Sequence, residues 1–272
     1  MDPRTERTRY LTRPEGRIAY DVTGTGPTVV CVPGMGELRS SYRFLAPALT
    51  EAGYRVVAMD LRGHGDSDAS FSSYDDVAAG SDVVALLEEE RAPAVVVGNS
   101  MGAGAAVLAA ADAPERVAGL VLIGPFVRQV PVGKTMELMF RVAMMRPWVR
   151  AAWLAWYPRL FPGRRPDDFE DHRDRIRDTL RKPGHSKAFV ATTRTSHTPA
   201  EARMQEVRVP TLVVMGTDDP DFPDAAAEAR LVADRLHGDV LMVQGAGHYP
   251  QAEYPEVVSP AVIGFLARVF AG

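Results

Sequence analysis

The chain alternates between short, continuous apolar runs and longer stretches in which apolar positions recur every three or four residues. The continuous runs fall at 28–32, 55–59, 94–97, 119–123, 211–215 and 240–243. Each reads as a strand covered on both faces, because no polar position interrupts it. Helical spacing falls between them, over 38–52, 74–91, 103–110, 224–237 and 255–270, with Gly53 closing the first. Two further runs, 8–13 and 17–23, flank Pro14-Glu15-Gly16 and predict an antiparallel entry hairpin. Strand followed by helix, repeated, implies an α/β fold: a mostly parallel sheet with helices on both faces.

The rhythm breaks over 127–208. That stretch holds no run suited to a parallel strand, and helical spacing appears around 133–146, 148–157 and 167–181. It reads as a helical cap inserted on the C-terminal side of the sheet, where loops carry function. The body is then 1–126 with 209–272. The cap holds 17 Lys and Arg against 9 Asp and Glu, whereas the rest holds 14 against 26. Either the basic cap docks on an acidic body, or some of its arginines steer an anionic substrate.

Composition narrows the class. The 272 residues suffice for one large domain with an insertion. A net charge of −4 offers no electrostatic case for nucleic acid. No apolar stretch has the length of a membrane span, and residues 1–7 lack the apolar core of a signal peptide. A cytoplasmic protein, without a membrane partner and either monomeric or homodimeric, is the expectation. The single Cys31 excludes an internal disulfide and a multi-cysteine metal site. It lies in an apolar strand pattern and reads as an inert thiol. No Gly-rich dinucleotide fingerprint opens the first βα unit, so no bound nucleotide is expected, and the serine chemistry set out below needs no metal and no organic cofactor.

The chemistry begins at Gly98-Asn99-Ser100-Met101-Gly102. Preceded by a Val-rich strand and followed by a small-residue helix, this G-x-S-x-G reads as a nucleophile elbow: a strained turn that holds Ser100 out at a helix N-terminus. A serine hydroxyl needs a base. Of six histidines, His248 in Gly245-Ala246-Gly247-His248 follows the last strand and emerges at the same sheet edge as the elbow. His64 is second, with a hydrogen-bonded turn residue as its simpler explanation. His237 belongs to a helix end, and His172, His185 and His197 to the cap. The base in turn needs a carboxylate, and Asp218, Asp219 and Asp221 compete in the loop after the preceding strand.

Together the elbow, Asp60-Leu61-Arg62-Gly63-His64-Gly65-Asp66-Ser67, Gly216-Thr217-Asp218-Asp219 and Gly247-His248 resemble the α/β-hydrolase superfamily over about residues 8–270. The resemblance implies a mostly parallel, eight-stranded sheet with 127–208 as the variable cap. It implies a triad of Ser100, Asp219 and His248, with Asp219 at the position the family's acid usually takes. It implies an oxyanion hole made by the backbone N–H groups of Met35 and Met101. Pro33 stands where the family commonly has histidine, so local bonding in that loop must differ.

The resemblance leaves the substrate to the cap. Its Met and Trp residues, among them Met139, Trp148 and Trp153, supply more apolar surface than a loop needs. Most of that surface is cap core, and the remainder would line an apolar pocket. An ester or lactone of a hydrophobic small molecule is the leading expectation. The elbow also resembles that of carbon–carbon bond hydrolases acting on ring-cleavage diketones, although the loop at Pro33 lacks their usual length. A non-hydrolytic ligand receptor, or a biosynthetic cyclase using the cavity as a mould, would have no need of all three triad residues. Haloalkane dehalogenases and epoxide hydrolases resemble the fold but need Asp at position 100.

Overall fold

The apolar runs become the middle of a single sheet. The computed structural model describes residues 8–90, 92–129 and 133–271, so residues 1–7, with their expected lack of a signal core, lie outside the described residues. The strands are β1 (Arg9–Arg13), β2 (Gly16–Thr23), β3 (Thr28–Val32), β4 (Arg55–Met59), β5 (Ala94–Asn99), β6 (Val117–Ile123), β7 (Thr211–Gly216) and β8 (Asp239–Val243). They lie side by side in the order β1-β2-β4-β3-β5-β6-β7-β8. The hairpin pairs antiparallel, β2 meets β4 antiparallel, and every pair from β4 to β8 is parallel. This is the expected mostly parallel, eight-stranded sheet. Because β3 to β8 share one direction, their C-terminal ends open onto a common edge.

Continuous burial follows from two helical layers. Alternate residues point to opposite faces of a strand. Val29 and Cys31 pack with α1 (Leu45–Glu51) and the C-terminal helix, while Val30 and Val32 pack toward α2 (Asp76–Glu90) and α3 (Met101–Asp112). Cys31 is fully buried, and that burial pushes its thiol pKa up, as an inert thiol requires. The predicted helix over 38–52 divides into a 3-10 turn at Arg39–Tyr42 and the shorter α1.

Between β6 and β7 lie α4 (Lys134–Ala143), α5 (Val149–Trp156), α6 (Phe169–Arg181), α7 (His185–Thr192) and α8 (Thr198–Arg203). The cap has its own core: Trp153, Tyr157, Leu160, Phe161, Phe169, Ile176 and Phe189 pack together and onto Leu38 and Tyr249 of the body. Ala200, Met204 and Val207 instead join the core beside α3, so α8 packs as part of the body. Several cap charges pair across the seam. Arg164 meets Glu256 and Lys182 meets Asp66, each at 2.8 Å, and Asp168 takes Arg43 at 2.6 Å. Docking on the body thus engages Arg164 and Lys182 of the cap, while Arg173, Arg177 and Arg181 pair within α6.

The chain closes with α9 (Ala225–Leu236), α10 (Pro250–Glu253) and α11 (Pro255–Ala271). Among the described residues, no helix is long and apolar enough to cross a membrane.

Candidate active site

One residue separates β5 from α3. To make that turn Ser100 adopts φ 57° and ψ −123°, a conformation that costs an L-residue about 1–3 kcal/mol. The neighbouring glycines are sterically required. A β-carbon on Gly98 would collide with the Gly102 carbonyl, and one on Gly102 with the Val32 carbonyl. The Ser100 amide donates to Ile123 O at 2.9 Å, and its carbonyl accepts the Phe126 amide at 3.2 Å. Ser100 thus stands half-buried at the N-terminus of α3.

His248 comes to the same place from the loop after β8. Its buried ring lies edge-on to Phe126, with centroids 5.8 Å apart. A β-carbon on Gly124, one residue past Ile123, would lie 3.0 Å from His248 Nδ1. Segment 123–126 therefore touches both Ser100 and His248. Asn99 ties them further: its Nδ2 donates to Ile123 O at 3.0 Å and to His248 O at 3.2 Å.

His248 Nδ1 lies 2.8 Å from Asp219 Oδ2, both side chains being buried. A proton on Nδ1 given to the carboxylate leaves Nε2 as an acceptor. Burial alone would lower the imidazole pKa. The Asp219 charge and hydrogen bond outweigh it, with smaller contributions from Asp221 and Glu253, and push it up to about 9. The structure thus moves this group above the neutral range an unperturbed histidine occupies. Asp218 is exposed and only receives the Thr217 hydroxyl at 3.0 Å. Asp221 is half-buried, with Oδ2 at 3.8 Å from His248 Nδ1. Among the described residues, Asp219, Asp221 and His248 also form one group whose ligand-type atoms fall within 4.8 Å of one another. Its nitrogen already serves the Asp219 hydrogen bond, so the group reads as a carboxylate-supported imidazole.

The loop after β3 crosses directly against the serine. A β-carbon on Gly34 would be 2.7 Å from Ser100 Cβ. Met35 follows in that loop, and Met101 opens α3, where the first amides have no partner inside the helix. Among the described residues, neither the Met35 nor the Met101 amide donates to a protein acceptor. The altered bonding implied by Pro33 is supplied by His64. Its Nε2 accepts the Gly36 amide at 3.0 Å and its Nδ1 meets Arg62 O at 2.8 Å. Burial lowers the His64 pKa to about 4, which keeps the ring neutral and able to accept. His64 is therefore a loop fastener.

The cap grips both loops. Trp153 Nε1 donates to Gly36 O at 3.3 Å, and a side chain on Gly36, at φ 73°, would strike the indole. The buried Glu37 carboxylate takes the Tyr157 hydroxyl and lies 2.9 Å from His172 Nε2. On the other side, Leu160 O accepts the His248 amide at 2.9 Å. Glu253 accepts the amides of Gly247 at 2.6 Å and Gly163 at 3.2 Å. Burial pushes its carboxyl up to about 7. Asn99, Glu37 and Glu253 escape a reading of the sequence, where each resembles an ordinary polar position.

The expected substrate contacts separate. Trp153 is buried against the loop that carries Met35, whereas Met139 and Trp148 are exposed to solvent. His197 pairs with Asp76 at 2.7 Å, His185 is buried, and His237 caps α9 in an exposed position.

A β-strand, a strained serine, a helix and a buried imidazole–carboxylate pair at one sheet edge define an α/β-hydrolase. Residues 29–261 match the alpha/beta hydrolase family, and the chain belongs to it. It is an enzyme of the hydrolase class. It is 29% identical over 294 residues to Epoxide hydrolase A of Mycobacterium tuberculosis, covering 88% of this chain and 90% of the relative. It is 27% identical over 259 residues to the 2-(acetamidomethylene)succinate hydrolase of Mesorhizobium japonicum, covering 92% of each. The crystal structure of a bromoperoxidase from Bacillus anthracis shares the fold, with a TM-score of 0.81, 22% identity and coverage of 97% of this chain and all of that one.

Proposed function

We propose that the protein is a serine hydrolase that cleaves an ester or lactone of a hydrophobic small molecule through Ser100, His248 and Asp219. The observation that carries this reading is the strained Ser100, held by Asn99 and segment 123–126 beside an imidazole that is itself held by a buried carboxylate. Ser100 Oγ attacks the carbonyl carbon while His248 Nε2 takes its proton. The oxygen that becomes negative is received by the Met35 and Met101 amides, each such donor contributing about 3 kcal/mol to the transition state. His248 then protonates the leaving alkoxide. Water then gives a proton to His248 Nε2 as it attacks the acyl-enzyme; the ester bond to Ser100 breaks, the imidazolium returns the proton to Ser100 Oγ, and the acyl group leaves as the carboxylic acid.

Serine at position 100 separates this chain from the chemistry named for its epoxide hydrolase relative. Opening an epoxide through a covalent ester requires a carboxylate at the elbow, and Ser100 has none. Cleavage of a carbon–carbon bond beside a ketone remains the second reading, because it uses the same serine, base and oxyanion donors.

The test is covalent labelling with a fluorophosphonate, located by peptide mass spectrometry, together with turnover of a panel of aryl esters and lactones. Labelling at Ser100 with ester turnover is the expected result. Absence of both in folded protein overturns the serine hydrolase reading. Labelling without ester turnover, and with turnover of a vinylogous diketone, moves the protein to the carbon–carbon class.

A further inference from the structure

His248 faces two carboxylates, and a single acid suffices for a catalytic histidine. Asp219 Oδ2 lies 2.8 Å from His248 Nδ1, and Asp221 Oδ2 lies 3.8 Å from the same nitrogen. The backbone creates this arrangement. Pro220 lies between the two acids, and the Phe222 amide bonds back to Asp219 O at 3.3 Å, closing a turn. The Asp221 amide donates to Asp219 Oδ1 at 3.0 Å. That bond leaves Asp219 Oδ2 for the imidazole and brings the Asp221 side chain round to the same side. An ordinary aspartate turn explains the amide bond. It does not require the second carboxylate to face a buried ring, and among the described residues His248 is the only cation that Asp221 approaches within ion-pair distance.

We propose that Asp221 is a second positioning carboxylate for His248. It shares the stabilisation of the imidazolium with Asp219 and accepts the Nδ1–H hydrogen bond when Asp219 cannot. Coulomb energy falls as the inverse of distance, so at equal screening the Asp221 charge attracts the ring about three-quarters as strongly as Asp219 does. Its greater exposure lowers that fraction. A small rotation of the side chain closes the gap to hydrogen-bond length. The remaining charge facing the ring is Glu253 from α10, and Phe126 and Tyr249 supply its apolar walls. Burial raises the Asp221 pKa, and the His248 charge opposes that rise.

This inference rests on His248 as the base of the proposed hydrolase, but its first test needs no turnover. In the Ser100→Ala protein, the His248 Cε1 proton is followed by NMR across pH, with and without Asp221→Asn. Removing a charge at this range should lower the His248 midpoint by about 1 unit. Asp221→Ser should shift it in the same direction. Coincident midpoints overturn the proposal, whatever the substrate proves to be. The second test is kinetic, with Asp219→Asn, Asp221→Asn and the double variant, each checked for native circular dichroism. Loss of a lone triad acid costs about 10⁴ in kcat. With Asp221 in reserve, Asp219→Asn should lose only about 10²–10³, and the double variant should restore the full loss. A double variant no worse than Asp219→Asn also overturns it. Absence of both fluorophosphonate labelling and ester turnover, with a shifted His248 midpoint, rejects the serine hydrolase reading and leaves the paired carboxylates standing.

Discussion

Replacing Asn99 should damage catalysis without touching the triad. Its Nδ2 supplies two bonds, to Ile123 O at 3.0 Å and His248 O at 3.2 Å, from a fully buried position. Ile123 O keeps a second donor in the Ser100 amide, whereas His248 O has no other protein donor among the described residues. Asn99→Ala therefore deletes two buried bonds, each contributing about 1 kcal/mol, and leaves one carbonyl unpaired. Asn99 Oδ1 is itself unpartnered, so its removal returns part of the cost. A net loss near 2 kcal/mol follows, which in a domain of this size lowers Tm by about 4–8 °C. The catalytic effect is larger, because a misplacement of the base by about 1 Å can cost 10²-fold. The informative companion is Asn99→Asp. It has the same shape, but it turns a carboxylate oxygen toward two carbonyl oxygens and buries an unpaired charge, so it should be less stable than Asn99→Ala. Urea unfolding and ester turnover of both variants test the reasoning. An Asn99→Asp protein as stable and active as wild type would refute it.

Strain at the elbow makes a second prediction. Ser100→Gly and Ser100→Ala should each cost about 10⁴ in kcat, but at φ 57° glycine should be the more stable of the two by about 1 kcal/mol, the reverse of the usual order. Urea midpoints decide it, and an alanine variant at least as stable would show that the turn is unstrained. A third concerns pH. The Glu253 carboxyl is raised to about 7 and His248 to about 9. Each holds its proton more tightly folded than unfolded. The Glu253 contribution is therefore lost as pH climbs from its ordinary 4.5 to about 7, and that of His248 from 6.5 to about 9. These two slopes have one sign; His64, lowered to about 4, opposes Glu253 up to about pH 6.5, so the fall in Tm should be clear above that, where His248 dominates. Glu253→Gln should make the lower part of the profile less negative and His248→Gln should flatten the upper part; a Tm that rises between pH 7 and 9 would contradict the His248 assignment, and an unchanged lower part in Glu253→Gln would contradict that of Glu253.

The β-strands were legible because residues such as Val29 and Val30 are apolar on both faces, which only a doubly covered sheet requires. The elbow and the His248 loop were legible because glycine spacing and chain order encode them locally. Strand order was not, since nothing in 55–59 states that β4 lies between β2 and β3. The short helices α7 and α8 escaped because His185–Thr192 and Thr198–Arg203 are too brief for a period to show. Glu37 and Glu253 escaped for a different reason. Alone, a glutamate reads as surface, and it becomes a buried fastener only through partners 90–135 residues away. Apolar spacing likewise could not tell Trp153, which is buried, from Met139 and Trp148, which are exposed to solvent.

The grip of the cap on both loops bears on how such proteins diversify. A cap attached only at its two chain ends could be exchanged as a cassette, with specificity moving alongside it. Here the incoming segment would have to bring a Trp153 indole for Gly36, a Tyr157 hydroxyl and a His172 ring for Glu37, a Leu160 carbonyl for the His248 amide and a Gly163 amide for Glu253. Recombination that omits any of them disturbs the machinery it was meant to retarget. A chimera at this cap therefore keeps the machinery intact only when the crossover carries those five contacts with it, whereas point changes elsewhere in the resident cap leave them in place.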